Sequence, residues 1–257
     1  MAGNEKEIAK VLVLNKGKMS LRHIGIVHSV GAPGASKGEY IEIDNVKDVA
    51  KLLSTEDSRK KADIYINGCG VSLKQEGATF SYNRLQRANL LEIFNLLKFS
   101  KPESALQRID LEVKRFHDNK LDRRNRPWQD LFSEAEFKAL SKFLMMEGAP
   151  NVGYSLHPAE FILEAPLRNI SENNMRFFTF EEYFEACRDK FKIAIRRLWI
   201  GQSSNSEHNR ASGLATKTGN APWVFNNVIG QPRTGWRKNF PSEGRKTVYF
   251  LMIEKER

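Results

Sequence analysis

Apolar residues recur at helical spacing in several segments of the chain. In the first segment, Ile8 and Leu12 form one apolar stripe, and Asn4 precedes it as a candidate N-cap. In a later segment, Ser133 and Glu136 have the spacing of a capping box. We therefore predict helices over residues 4–14, 46–53, 86–97, 133–146 and 180–199.

A second pattern, in which apolar and polar residues alternate, predicts strands. Residues 62–66 alternate in this way, Asn67-Gly68 is a typical two-residue hairpin turn, and residues 71–75 form the returning strand. Further strands are predicted at residues 161–163 and 247–254, and a glycine-rich loop is predicted at residues 31–38.

The mixture of helices and strands along the chain predicts an α/β fold, with a mixed β-sheet flanked by helices. No internal repeat and no sharp change in composition divide the 257 residues, so we expect one domain over residues 1–257. Residues 201–244 are polar and rich in Gly, Ser and Asn. Such a long irregular stretch is usually functional or disordered, and its aromatic residues argue against plain disorder.

Charge and composition narrow the classes of function. The formal net charge is +10, and a basic surface favours an acidic partner, of which nucleic acid is the commonest. No apolar run is long enough to span a membrane, and residues 1–18 lack the apolar core of a signal peptide. The two cysteines, Cys69 and Cys187, are expected to be free thiols in a reducing cytoplasm.

The predicted hairpin carries residues suited to phosphodiester cleavage. This reaction uses a metal ion that activates water, and Mg²⁺ prefers oxygen ligands from one or two carboxylates. Asp63 begins the first strand, whereas Ser72 and Lys74 share one face of the second strand because side chains alternate with a period of two. The backbone carbonyl of Leu73 is a further candidate ligand, and Lys74 can orient the attacking water.

The pattern Asp63…Ser72-Leu73-Lys74 resembles the motif of PD-(D/E)XK nucleases. Residues 4–9 resemble the opening helix of small restriction enzymes that cut short GC-rich sites, and residues 236–254 resemble their terminal hairpin. The resemblance implies a type II restriction endonuclease that hydrolyses double-stranded DNA with Mg²⁺. It also implies a catalytic core at about residues 1–100 and a DNA-recognition region at about residues 201–257.

The motif departs from the family pattern at Ser72, where Glu or Asp is usual. A hydroxyl is a weaker ligand and carries no charge, which suggests that another carboxylate compensates. The resemblance implies a helical glutamate near the metal, and we take Glu5 as the first candidate and Glu7 as the second. Glu76 shares the face of Ser72 and Lys74 if the strand continues that far.

Three groups of polar residues are candidates for contacts with DNA. Asn83, Arg84 and Arg87 follow the second strand of the hairpin and could contact the scissile backbone, although a solvated helix face is the alternative. A basic stretch from Lys114 to Arg126 suits phosphate positioning or a solvated loop. From the polar segment and the residues after it we select arginines and lysines, since arginine reads guanine; these are Arg210, Lys217, Arg233, Arg237, Lys238, Arg245 and Lys246.

Other interpretations stay open at this stage. Asp63 and Lys74 could be ordinary strand residues, and a single loop histidine such as His157 is more typical of a structural role than of acid–base catalysis. A non-catalytic nucleic-acid-binding protein, or a repair-type nicking nuclease of the same superfamily, has the same charge. No Walker loop, Rossmann fingerprint or nucleophile elbow supports a small-molecule enzyme. Palindromic sites favour a homodimer, but some enzymes of this resemblance act as monomers.

Overall fold

The computed structural model describes residues 4–53, 60–77, 85–117, 125–149, 153–197 and 249–255. This part of the chain forms helices and strands that are, in order, α1 (Glu5–Leu14), β1 (Ser20–Leu21), β2 (Gly25–Ile26), β3 (Val30–Pro33), β4 (Tyr40–Glu42), α2 (Val46–Leu52), β5 (Ile64–Ile66), β6 (Cys69–Gln75), β7 (Leu85–Gln86), α3 (Arg87–Leu96), α4 (Pro102–His117), β8 (Asn125–Pro127), α5 (Glu134–Lys142), β9 (Phe161–Ala165), β10 (Arg176–Phe178), α6 (Phe180–Cys187), β11 (Phe191–Arg197) and β12 (Tyr249–Lys255). A π-helical turn at Phe143–Glu147 follows α5.

Two compact units are built from segments that interleave along the chain. The first contains residues 1–83, 135–191 and 255–257, and the second contains residues 84–134 and 192–254. Because each unit draws on separated segments, no linker with a distinct composition marks a boundary in the sequence. The expectation of one domain over residues 1–257 stays a prediction.

The first unit contains a mixed six-stranded sheet in the order β10-β9-β6-β5-β3-β4. Strands β6 and β9 run parallel, and every other neighbouring pair in this sheet is antiparallel. Helices α1 and α2 belong to the core on one face, and α6 packs against β9 and β10. The predicted α/β class, with a mixed sheet and helices, is confirmed.

The core of this unit lies between α1, α2 and one face of the sheet. Ile8 and Leu12 of α1 are fully buried and belong to one apolar cluster with Ile64, Val71 and Leu73. Full burial of such a side chain contributes about 2 kcal/mol relative to leaving it in water. Because side chains alternate along a strand, this apolar face of β6 directs Ser72 and Lys74 to the opposite face.

The β5–β6 hairpin agrees with its prediction. Asn67 and Gly68 have φ angles of 50° and 81°, so both turn residues lie in the left-handed region that a type I′ turn requires. The register pairs Ile66 with Cys69 and Ile64 with Val71. Asn67 also anchors the turn to a neighbouring segment, since its side-chain oxygen accepts a hydrogen bond from the backbone N–H of His28 at 2.8 Å.

The helix predicted over residues 180–199 is wrong beyond its first half. Thr179 and Glu182 form a capping box, and α6 then ends at Cys187. A 3₁₀ turn follows, and residues 191–197 form β11, which pairs with β8. Phe191, Ile193 and Ala194 are buried and Lys192 is partly exposed, so only the first three residues of the segment also fit a period of two. Backbone pairing with a distant strand outweighs the helical spacing.

Three smaller predictions change in the structure. The Asn4 side chain makes no capping hydrogen bond to α1, and its amide nitrogen donates to the carbonyl oxygens of Ala165 and Pro166. The loop predicted at residues 31–38 begins later, since Gly31 belongs to β3, where a Cβ atom would lie 2.5 Å from the Tyr40 ring. The helix predicted at residues 133–146 ends as an α-helix at Lys142 and continues as the π-helical turn.

The second unit contains a four-stranded sheet in the order β7-β12-β11-β8, with α3 and α4. The Phe94 and Phe99 rings stack at 4.7 Å, and Phe132 packs edge-on against both. The terminal strand predicted at residues 247–254 is observed as Tyr249–Lys255. In the described ranges, no helix combines the length and apolar character needed to cross a membrane.

Candidate active site

The β5–β6 hairpin brings Asp63, Ser72 and Lys74 together on one side of the sheet. Asp63 directly precedes β5, and its backbone N–H donates to the carbonyl oxygen of Val71 at 2.9 Å. Ser72 and Lys74 lie on β6 opposite the core face. Ser72 is buried, and the other two side chains are partly buried.

The Asp63 carboxylate is held by two donors from β6. Its Oδ2 atom accepts the backbone N–H of Leu73 at 2.6 Å and the hydroxyl of Ser72 at 3.3 Å. Both bonds go to the same oxygen, so Oδ1 has no hydrogen bond within the part of the chain that is described. Burial raises the pKa of Asp63, and the positive charge of Lys74 opposes this rise.

The ammonium of Lys74 is tied to the same strand. Its Nζ donates to Ser72 Oγ at 2.6 Å and to the Leu73 carbonyl oxygen at 3.2 Å. The Ser72 hydroxyl therefore accepts from Lys74 and donates to Asp63. Ser72 thus bridges the two charged side chains, and its part in catalysis stays a prediction.

A second lysine lies beside this group and was not selected from the sequence. Lys61 is buried, and its Nζ donates to the carbonyl oxygen of Leu144 at 2.6 Å. Burial, together with the charge of Lys74, lowers the pKa of Lys61 to about 8, and Asp63 acts in the opposite direction. The available signal was its position two residues before Asp63 in the sequence.

The acids proposed to compensate for Ser72 occupy different positions. Glu5 is the first residue of α1, and the side chain of the adjacent Asn4 donates to the carbonyl oxygens of Ala165, the last residue of β9, and Pro166. Glu7 pairs with Lys10 on the surface at 2.7 Å, and Glu76 pairs with Arg176 at 2.7 Å. Across the described ranges, no three His, Cys, Asp or Glu side chains are grouped to hold a metal ion. The role of Glu5 as a ligand stays a prediction.

A second charged group lies on the neighbouring strand. The register pairs Lys74 with Glu164, whose side chain is buried. Glu164 Oε1 accepts from Lys255 Nζ at 3.0 Å, and Oε2 accepts from Arg176 at 2.8 Å. Lys255 also donates to the Tyr183 hydroxyl at 3.2 Å. The strand predicted at residues 161–163 stopped short of Glu164, so the sequence did not indicate this group.

Most residues selected for DNA contacts lie outside the described residues; these are Asn83, Arg84, Arg210, Lys217, Arg233, Arg237, Lys238, Arg245 and Lys246. Arg87 begins α3. In the basic stretch, Arg115 and Arg126 both form ion pairs with the buried Glu112. Arg126 also pairs with Asp130, so two carboxylates lie beside these two arginines within the protein.

His157 has the surroundings of a structural histidine. It is fully buried, and its Nδ1 lies 2.9 Å from the Tyr65 hydroxyl. The two rings also pack edge-on at 5.9 Å. Its backbone carbonyl oxygen accepts hydrogen bonds from the N–H groups of Lys61 and Ala62, and these bonds fix the chain segment that leads to Asp63.

Comparison with known proteins gives no relative for this chain. No family model matches it, and neither a curated protein nor a solved structure does. Functional inference therefore rests on the geometry of the hairpin site.

Proposed function

We propose that this protein is a Mg²⁺-dependent type II restriction endonuclease that hydrolyses phosphodiester bonds in double-stranded DNA. The observation that carries this proposal is the group formed by Asp63, Ser72, Leu73 and Lys74 across the β5–β6 hairpin. The Ser72 hydroxyl joins the Asp63 carboxylate to the Lys74 ammonium, and this ammonium also donates to the Leu73 carbonyl oxygen. The net charge of +10 supports a polyanionic substrate.

The oxygen donors of the site fit a magnesium ion. Asp63 Oδ1 makes no hydrogen bond among the described residues. The Leu73 carbonyl oxygen accepts a hydrogen bond from Lys74 Nζ at 3.2 Å. Mg²⁺ accepts one or two carboxylates and keeps several waters, so these two groups are a suitable pair of protein ligands. When bound, the ion supplies a Lewis acid that activates water and neutralises charge on phosphate.

The chain's own groups position the reactants. The Leu73 N–H and Ser72 hydroxyl hold the Asp63 carboxylate in one orientation. Ser72 holds Lys74 at 2.6 Å, so the ammonium lies beside the Leu73 carbonyl and can orient the attacking water. Glu5 completes the ligand set in this proposal, and the arginines and lysines of residues 201–257 contact the DNA.

The test is cleavage of mixed plasmid and phage DNA in millimolar Mg²⁺, read on a gel and by sequencing the ends. Discrete bands that share one end sequence support a restriction endonuclease and identify its site. Conversion of supercoiled plasmid only to the nicked form indicates a nicking nuclease instead. Tight, salt-sensitive binding without cleavage indicates a non-catalytic nucleic-acid-binding protein, and it would contradict the proposal.

A further inference from the structure

Lys61 is a buried lysine whose ammonium is only partly engaged. The residue is 8% exposed, and its Nζ donates to the Leu144 carbonyl oxygen. An ammonium has three N–H donors, and this bond uses one of them. Within the described ranges, no carboxylate forms an ion pair with Lys61. The other buried charged residues there, Glu112, Glu164 and Lys255, do form ion pairs.

The acceptor of the Lys61 bond exists because of the π-helical turn. The N–H of Gly148 donates to the carbonyl of Phe143 at 2.6 Å. In an α-helix the same N–H would donate to Leu144, four residues earlier. The shift by one residue leaves the Leu144 carbonyl to accept from Lys61, which fixes the ammonium. Such turns recur at functional sites.

The ammonium of Lys61 adds a second positive charge to the hairpin site. Lys61 lies two residues before Asp63 at the entry to β5, and the charges of Lys74 and Asp63 both act on its ammonium. The site thus contains two cations for one carboxylate, and a buried excess charge is costly unless a counter-charge joins it. A phosphate oxygen supplies negative charge and accepts hydrogen bonds from an ammonium.

We propose that Lys61 is a phosphate-binding residue whose remaining N–H donors take a non-bridging phosphodiester oxygen beside Asp63. The substrate class rests on the proposed function, since it is the DNA backbone that brings the phosphodiester. Lys61 then supplies the positive charge that a second metal ion, for which Ser72 provides no carboxylate, would otherwise supply. Its compact ammonium acts as a point charge toward phosphate.

The first test uses inorganic phosphate as the probe and does not depend on DNA cleavage. The side-chain ammonium signal of Lys61 is followed by NMR in the ¹⁵N-labelled protein and is assigned by its absence in Lys61→Met. We expect phosphate to shift this signal saturably, whereas chloride at equal ionic strength does not. A signal that responds equally to both salts overturns the proposal.

The second test measures how duplex DNA binding depends on salt, without metal, for the wild type and three variants. Loss of one phosphate contact lowers the slope of log K against log salt by about 0.9. We expect this decrease in Lys61→Met but not in Lys61→Arg. The matched control is Lys60→Met, which removes the same charge from a side chain that donates to Pro33.

The outcomes separate this proposal from the proposed function. An unchanged slope in Lys61→Met overturns the phosphate-binding role, even if the wild type cleaves DNA. If the wild type neither binds nor cleaves DNA but inorganic phosphate still saturates Lys61, the phosphate site is supported and the nuclease function fails. Lys61→Arg and the wild-type titration keep both tests informative if Lys61→Met does not fold.

Discussion

Two groups of charged side chains lie near the same sheet in the first unit, and they differ in how fully they are paired. Glu164 has one partner for each oxygen, Lys255 and Arg176. Around Asp63, in contrast, the hydrogen bonds come from a backbone N–H and a hydroxyl, and they reach only one carboxylate oxygen. The first group is closed, and the second, here called the open group (Lys61, Asp63 and Lys74), keeps donors and an acceptor for a ligand.

The difference separates a structural role from a binding role. A closed buried ion pair holds strands together, and breaking it leaves an uncompensated charge. An open group keeps its charges at a cost in stability, because burial disfavours the charged form of Asp63 and of Lys61. Such perturbed groups are typical of functional sites. The open group should therefore matter for chemistry and the closed group for stability.

The largest expected effect on chemistry is that of Asp63→Ala. The change removes the carboxylate that we propose as the Mg²⁺ ligand, so we expect DNA cleavage to fall by about 10⁴-fold, as when a member of a catalytic unit is removed. Binding to duplex DNA in Ca²⁺ should remain measurable. The control is Asp44→Ala, an exposed aspartate that pairs with Lys16. Cleavage at the wild-type rate by Asp63→Ala would sink the site assignment.

The largest expected effect on stability is that of Glu164→Gln. This change leaves Lys255 buried without its carboxylate, so the free energy of unfolding should fall by about 3–5 kcal/mol. Urea unfolding measures the loss, and the folded variant should retain cleavage. Glu76→Gln is the matched control, since Glu76 pairs with the same arginine but is exposed, and it should cost about 1 kcal/mol or less. Equal costs in the two variants would contradict the closed-group interpretation.

Lys61→Met should stabilise the protein in a pH-dependent way. The folded pKa of Lys61 is lowered to about 8, so the buried charged form is a penalty that is fully present below pH 8. The penalty is relieved as the pH rises toward the ordinary value of 10.5, because the unfolded chain then binds more protons than the folded one. We expect Lys61→Met to be more stable by about 3 kcal/mol at pH 7, decreasing toward zero at pH 10.5.

Urea unfolding of both proteins over this pH range measures the difference directly. Comparing two proteins cancels the titration of tyrosines and cysteines that both contain. If the extra stability of Lys61→Met stays constant with pH, burial of the charged lysine does not destabilise the wild type as proposed.

A smaller effect is expected for Glu5→Ala. If Glu5 completes the metal site, its removal should raise the Mg²⁺ concentration for half-maximal cleavage by about tenfold. Glu7→Ala is the matched control, because Glu7 lies on the same turn of α1 but pairs with Lys10. Identical magnesium titrations for wild type and Glu5→Ala would leave Glu5 as an ordinary first-turn acid of the helix.

Two members of the open group, Asp63 and Lys74, could be predicted from sequence because they lie on one local hairpin, whereas Lys61 was not selected. Asn67-Gly68 specifies a tight turn, and the turn sets the register that places Asp63 beside Ser72. The period of two then puts Lys74 on the face of Ser72. The relative positions of Asp63, Ser72 and Lys74 therefore follow from a dozen consecutive residues, without knowledge of the rest of the fold.

The remaining contacts depend on residues that are distant in sequence. Lys61 meets Leu144 across 83 positions, and Lys255 meets Glu164 across 91. Neither pair leaves a periodic signal in one sequence. The helix prediction failed at residues 191–197 for a related reason, since the pairing of this segment with β8 is set by the tertiary fold.

The most direct test of the site is a comparison of DNA cleavage and DNA binding by the wild type and Lys74→Ala. Both are measured on one substrate, with cleavage in Mg²⁺ and binding in Ca²⁺. We predict that Lys74→Ala cleaves about 10²–10³-fold more slowly while its binding remains measurable, because the ammonium acts on the reaction. Equal cleavage by the two proteins, or binding without cleavage by the wild type, would contradict a catalytic role for the hairpin.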